Sequence, residues 1–415
     1  MSNLFDYMAW RGDLTLAQDP LNPIDHMILT RISYLPLQGI VDGPGGRSVT
    51  LRAASRYFFT LPNWQELLLM KHDGDLFRQA AQCPRYQNVL LSRFAEDTDL
   101  EAQKQFGAVT LTLEDGTRYI SFRGTDDTLV GWKEDFNMGC LDTVPSQEEA
   151  LRYFVATAAA LPGPFWLAGH SKGGNLATYC AIHCGPELQA RIVGVVNNDG
   201  PGFRENQLHT PEYQAVADRI QTYVPQSSVV GMLLFHSEDF HVVRSSQIGI
   251  LQHDLYSWQV EGREPIYLKG VPPSLKFSDQ TLRLWVGSLP PEGRAAFVEG
   301  LYNILASTNY TTLSEMRKNS AALYRAVIQA DAPERNIVIE GLTLLLRAAC
   351  HSLPEYWAEQ IKAHPLRNTI QERNLSHEKI ALGSLRSHLR PVRSSFGTKR
   401  TAERPHPESG EPGQQ

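Results

Sequence analysis

Cysteine is scarce in this sequence. The five present among 415 residues (Cys83, Cys140, Cys180, Cys184 and Cys350) are odd in number and lack paired short spacing. That excludes a disulfide framework and a cysteine-rich zinc site, and fits a reducing compartment. A basic surplus is also missing: 39 Lys and Arg stand against 45 Asp and Glu, a net charge of −6. Nucleic acid or an anionic membrane would therefore need a local patch. No apolar run reaches the roughly 18 residues of a membrane span. The opening Met1–Trp10 places Asp6 and aromatics where a signal peptide needs a basic end and an apolar core. These absences predict a soluble cytoplasmic protein. No internal repeat is visible, and 42% hydrophobic with 20% charged residues excludes a wholly disordered, collagen-like or coiled-coil chain.

Helical spacing leads the chain. Asn22-Pro23 precedes Ile24, Met27, Ile28, Ile32 and Leu35, a capped helix with one apolar face. Further helical stretches are expected over 51–59 and 64–82. From Phe106 the period changes, and two β-rich runs around Asp115-Gly116 predict a hairpin, Gly116 supplying positive φ. Helices then alternate with short apolar runs at Phe165–Ala168 and Ile192–Val196, the pattern of a mostly parallel sheet covered on both faces. The expected organisation is an α/β domain over 1–272, a helical extension over 273–375, and a disordered tail over 376–415 that is poor in apolar residues.

The strongest local signal is Gly169-His170-Ser171-Lys172-Gly173-Gly174, a Gly-x-Ser-x-Gly set between a predicted strand and a predicted helix. So tight a turn tolerates only glycine at 169 and 173, and it lifts the Ser171 hydroxyl above the sheet as a nucleophile. The helix that starts there aims its unpaired amides at the same place, so the Lys172 N–H is positioned to stabilise an oxyanion. The alternative is a glycine-rich structural turn.

A second segment, Phe122-Arg123-Gly124-Thr125 followed by Trp132 and Asp135, together with Gly-His-Ser-x-Gly-Gly, resembles the class 3 lipase branch of the α/β-hydrolases. More closely, Leu4-Phe-Asp-Tyr-Met-Ala-Trp-Arg-Gly-Asp13, Gly169–Ala177, Asn198-Asp-Gly-Pro-Gly-Phe203 and Gln252-His-Asp254 with Trp258 resemble the bacterial Mbeg1-like proteins over roughly residues 1–270. The resemblance implies an α/β-hydrolase fold and places Thr125, the residue after Arg-Gly, in the oxyanion hole.

A serine nucleophile needs a base and a carboxylate that orients it. His253, in a loop beyond the last apparent strand, matches where class 3 lipases carry their histidine; His236 and His241 are rivals, and His170 is expected to pack beside the elbow. For the acid, the lipase position here reads Pro225-Gln-Ser227-Ser228, with no carboxylate. Asp199 ends the preceding strand, and the C-terminal ends of parallel strands converge on the nucleophile, which favours Asp199 over Asp239. Asp199 could also simply cap its own turn.

Other motifs carry less. Gly43-Pro-Gly-Gly46 lacks the Lys-Ser/Thr of a phosphate loop. Cys180 and Cys184 share a helix face as small core residues rather than metal ligands. Lys399-Arg400 offer charge to acidic partners, the simpler reading being a solvated tail. The residues together predict a serine hydrolase cleaving a lipid or other acyl ester through Ser171, His253 and Asp199, with Lys172 and Thr125 amides on the oxyanion and no metal or organic cofactor. The helical extension would form a lid or pocket wall. The competing readings are a non-catalytic scaffold that keeps the fold and an acyltransferase that uses the same triad.

Overall fold

Eight strands lie side by side in chain order: β1 (Val49–Thr50), β2 (Leu90–Asp99), β3 (Lys104–Thr112), β4 (Arg118–Phe122), β5 (Phe165–His170), β6 (Ile192–Asn198), β7 (Ile220–Pro225) and β8 (Phe240–Val243). The computed structural model describes residues 2–308 and 310–363, so the expected tail over 376–415 lies outside the described residues. β1 to β4 pair antiparallel, and β4 to β8 pair parallel. The fold class read from the sequence holds: an α/β-hydrolase fold with a mostly parallel central sheet.

Helices cover both faces because both faces are apolar. Tyr119, Ala168, Val196 and Tyr223 face α1 (Leu4–Arg11), α2 (Pro23–Arg31), α3 (Leu51–Phe58) and α4 (Lys71–Gln82). Ile120, Phe122, Leu167 and Val195, at alternate positions of the same strands, face the opposite layer of α5 (Leu129–Met138), α6 (Pro145–Ala160) and α7 (Lys172–His183). Each Ile, Leu, Val or Phe side chain among them contributes roughly 1.5–3 kcal/mol on burial. Asn22 accepts from the amides of Ile24 and Asp25 at 3.0 and 3.3 Å, the cap its position predicts for α2.

Two expectations change. The helix expected over 64–82 is a 3-10 turn, Trp64–Leu67, followed by α4, because the Asp73 carboxylate accepts the Met70 amide at 3.1 Å and starts a new helix there. β2 was not expected: Arg93, at φ 55°, marks a bulge between Ser92 and Ala95, and the strand's far end is acidic and exposed.

Single turns flank β6: α8 (Pro186–Gln189) precedes it, and α9 (Glu205–Leu208) and α10 (Pro211–Gln214) follow it. Then follow α11 (Pro273–Ser288), α12 (Pro291–Ala306), α13 (Leu313–Lys318), α14 (Ser320–Gln329) and α15 (Ala332–Ala363). This helical layer packs on α5: Phe136 and Cys140 sit against the cluster of Phe297, Val298 and Val338, and Lys133 pairs with Glu299 at 2.8 Å. The Leu129 amide also donates to the Thr311 carbonyl at 3.0 Å. α15 adds to the sequence reading of apolar runs. Among the described residues, Ala332–Gln360 is one helix long and apolar enough to cross a membrane by length and composition, although Glu340 and Arg347 interrupt its apolar run. Its Gly341 lies against the Phe297 ring and its Gly341 carbonyl accepts from Trp285 Nε1 at 2.9 Å, so one face rests on the fold.

Candidate active site

Parallel register brings the chemistry to one edge. Phe122 pairs with Gly169, His170 with Asn198, and Asn198 with Tyr223, so the residues that follow each strand, among them Thr125, Ser171 and Asp199, leave the sheet together. Ser171 stands between β5 and α7 at φ 58° and ψ −134°, a conformation that costs a side-chain-bearing residue on the order of 1–3 kcal/mol and is held only when its surroundings dictate it. They do. A Cβ on Gly169 would strike the backbone of Gly173, and a Cβ on Gly173 would strike the carbonyl of Phe122. The Ser171 amide donates to the Asn198 carbonyl at 3.0 Å, which ties the bend to β6.

Asp199 follows β6 at φ 54° and is fully buried. Its carboxylate accepts from His253 Nδ1 at 2.7 Å, from the Gly231 amide at 3.2 Å, and from Ser228 Oγ. Asp199 thus does more than cap its turn. Ser228 lies in the segment where class 3 lipases carry their acid; here a hydroxyl from that segment holds the carboxylate supplied by the neighbouring strand. His253 closes a 3-10 turn and stays partly accessible, its side chain 24% exposed. Because a carboxylate only accepts, Nδ1 carries the proton and Nε2 is the basic nitrogen.

The rival residues go elsewhere. Asp239 is exposed one residue before β8. His236 donates to the Gly231 carbonyl at 2.7 Å and pairs with Glu238 at 3.1 Å. Burial opposes charge on both, but their mutual hydrogen bond and attraction prevail, raising His236 and bringing Glu238 down to about 2. His241 lies between the rings of Tyr223 and Tyr267.

His170 packs beside the elbow, its ring centroid 4.4 Å from that of His253. Burial, with the nearby charges of His253 and Arg31, holds it well below the ordinary imidazole range, so it is neutral. Its Nε2–H donates to the His253 carbonyl at 2.7 Å, which leaves Nδ1 to accept from the Tyr34 hydroxyl at 3.0 Å; that hydroxyl accepts in turn from the Gly124 amide at 3.0 Å. Tyr34 therefore joins the Gly124-Thr125 segment to the His253 turn. Tyr34→Phe strands a buried amide and a buried imidazole nitrogen, and unfolding in urea is expected to show a loss of about 1–3 kcal/mol.

Consecutive residues of α5 fix both sides of the elbow. Glu134, fully buried, accepts from Lys172 Nζ at 2.8 Å and from the amides of Gln105 and Ser146 at 3.0 and 2.8 Å. Asp135 accepts the Thr125 hydroxyl at 2.6 Å. Burial pushes the Asp135 carboxyl up to about 6; the charge of Lys172, the Thr125 hydrogen bond and the charge of His253 pull down, and Glu134 adds to the rise. Between the ordinary carboxylate value near 4 and about 6 the folded chain therefore binds more protons at Asp135 than the unfolded chain, so this residue's contribution to stability falls as pH rises through that window. Asp135→Asn removes the loss: from pH 4.5 to pH 7 its urea midpoint is expected to gain on that of the unaltered chain.

Beside Asp135 opens an apolar cavity of about 70 Å³, walled by Phe136, Met138, Pro201, Trp285, Leu289 and Phe297. Pro201 follows Gly200, whose Cβ position would meet the Ser171 carbonyl, so the cavity begins near the elbow and its far wall comes from the helical layer. The sequence reading did not single out Tyr34, Glu134 and Ser228. Glu134 carried a signal, being one residue before the Asp135 already noted, and Ser228 stood in the Pro225–Ser228 segment already noted for its missing carboxylate.

Fold, elbow and converging strand ends define a protein of the α/β-hydrolase class. A model of the Mbeg1-like family matches residues 80–303, more than half of the chain, and the chain belongs to that family. Curated proteins yield no match. Two solved structures are similar at low level. One, described as "A serine protease triad forms the catalytic centre of a triacylglycerol lipase", has 15% identity and a TM-score of 0.29, with 36% of this chain and 65% of that chain covered. The other, the crystal structure of M37 lipase, has 13% identity and a TM-score of 0.33 over 50% of this chain and 67% of that one. The chain thus spans slightly under two thirds of the first lipase.

Proposed function

We propose that this chain is a serine hydrolase that cleaves a carboxylic ester. The observation that carries the reading is the 2.7 Å bond from His253 Nδ1 to a buried carboxylate, Asp199, beside a serine held in a strained strand-to-helix turn. Ser171 Oγ attacks the ester carbonyl as His253 Nε2 takes its proton; Asp199 stays ionised and holds the imidazolium that forms. The tetrahedral oxyanion lies against the amides of Lys172 and Thr125. The bond to the alcohol breaks as His253 returns the proton to the leaving oxygen, and water, activated the same way, releases the acid from Ser171. The apolar cavity beside Asp135 suits the acyl chain, which makes a lipid or other acyl ester the favoured substrate class.

A fluorophosphonate probe tests this directly, since it labels a serine only when its base and oxyanion donors are in place. The folded chain is expected to be labelled and Ser171→Ala to be unlabelled. Equal labelling of both rejects Ser171 as the nucleophile, and labelling of neither, with p-nitrophenyl esters of graded length left intact, rejects the hydrolase in favour of a scaffold.

A further inference from the structure

We propose that the outer face of α15 is a docking surface for an anionic lipid membrane, on which the protein lies without spanning it. Ile339, Leu342, Leu346, Cys350, Leu353 and Trp357 are all exposed, Leu346 and Trp357 by 67% and 59%. At 100° per residue these six fall within an arc of about 80°, and at 1.5 Å per residue the stripe runs about 27 Å. A continuous apolar stripe of that length on a surface helix marks an interaction site, whereas isolated exposed side chains do not. The opposite face of the helix is committed to the fold through Val338, Gly341, Ala348 and Ser352, so α15 cannot leave to cross a bilayer without losing that packing.

Charge chooses the occupant. The chain that continues past Trp357 carries ten Lys and Arg against six Glu, a surplus of positive charge although the whole sequence is acidic. A second copy of this chain would carry the same positive surplus and so offers it no complementary charge. An anionic lipid surface attracts the same residues, and an apolar stripe ending in tryptophan and followed in the sequence by a basic segment has the two signals that stable peripheral attachment requires. Trp285 and Phe297, which touch Gly341 of α15, also wall the cavity beside Asp135. The helix that bears the stripe therefore packs, through its other face, on a wall of that cavity. The docking surface does not depend on the hydrolase reading.

Flotation of the full-length chain, carrying Ser171→Ala so that lipid stays intact, tests the surface with vesicles of phosphatidylcholine alone and with roughly 30% phosphatidylglycerol added. Binding is expected only to the anionic vesicles, to fall steeply with salt, and to drop about tenfold or more in Leu342→Glu/Leu346→Glu. Both positions are exposed, so the urea midpoint of that variant should match the parent. Neutralising Arg386, Arg390 and Arg393 to Gln should weaken binding while leaving the stripe intact. Absence of flotation, flotation indifferent to Leu342→Glu/Leu346→Glu, or a dimer in sedimentation that the same variant dissolves without any vesicle binding overturns the proposal. Failure of fluorophosphonate labelling bears on the catalytic reading alone.

Discussion

Asp199→Asn is expected to lower kcat/KM for ester hydrolysis by about 10⁴-fold while leaving the fold intact. The size follows from where the amide must point. In the unaltered chain one carboxylate oxygen accepts from Ser228 Oγ and the Gly231 amide, and the other from His253 Nδ1. Ser228 and Gly231 both donate, so they select the oxygen of the introduced carboxamide and turn its NH₂ toward His253. A donor facing Nδ1 forces the imidazole proton onto Nε2, the nitrogen that must receive the Ser171 proton, and the base is lost without any movement of backbone. Asp239→Asn, at an exposed position before β8, should change kcat/KM by less than about twofold. Steady-state kinetics on a p-nitrophenyl ester, with circular dichroism as the folding control, checks both. If Asp199→Asn keeps most of its turnover, the acid has been wrongly assigned.

What the sequence revealed of this site followed from how tightly a backbone constrains its residues. Gly169 and Gly173 were legible because no other residue fits the bend, and Asp199 because parallel register sends strand ends to one edge. Ser228 was illegible for the opposite reason: hydroxyls occur everywhere, and nothing local distinguishes one that reaches a carboxylate 29 positions away. Tyr34 reaches 136 positions along the chain to His170, a pairing that only the packing of α2 and its following turn against the sheet creates. In the fold, the hairpin of β3 and β4 was plain from its Asp-Gly turn. β2 was hidden by a bulge and by the acidic residues of its exposed end, which read as loop. α15 escaped as a long apolar helix because a continuous run was sought, while its apolar residues are divided between a packed face and an exposed stripe.

Lys172→Met is expected to cost about 3–5 kcal/mol of stability, and Glu134→Gln a comparable amount, in urea unfolding. Both side chains are wholly buried, and in buried ion pairs the attraction commonly does little more than offset the loss of hydration, so burial alone does not make such a pair a large source of stability. Removing one partner is a different matter, because the other charge remains in the interior with nothing to balance it. Lys172 Nζ also donates to the carbonyl and side-chain oxygen of Gln105, each at 2.7 Å, so Met strands acceptors on β3 as well. The double variant Lys172→Met/Glu134→Gln should recover part of the sum, a coupling that a double-mutant cycle reads directly. A purely additive cycle would show that the two charges are independently solvated and that no buried pair exists. Under the proposed hydrolase reading the arrangement also accounts for a lysine next to Ser171: its ammonium is drawn inward to Glu134 of α5, which leaves only its backbone amide for the oxyanion.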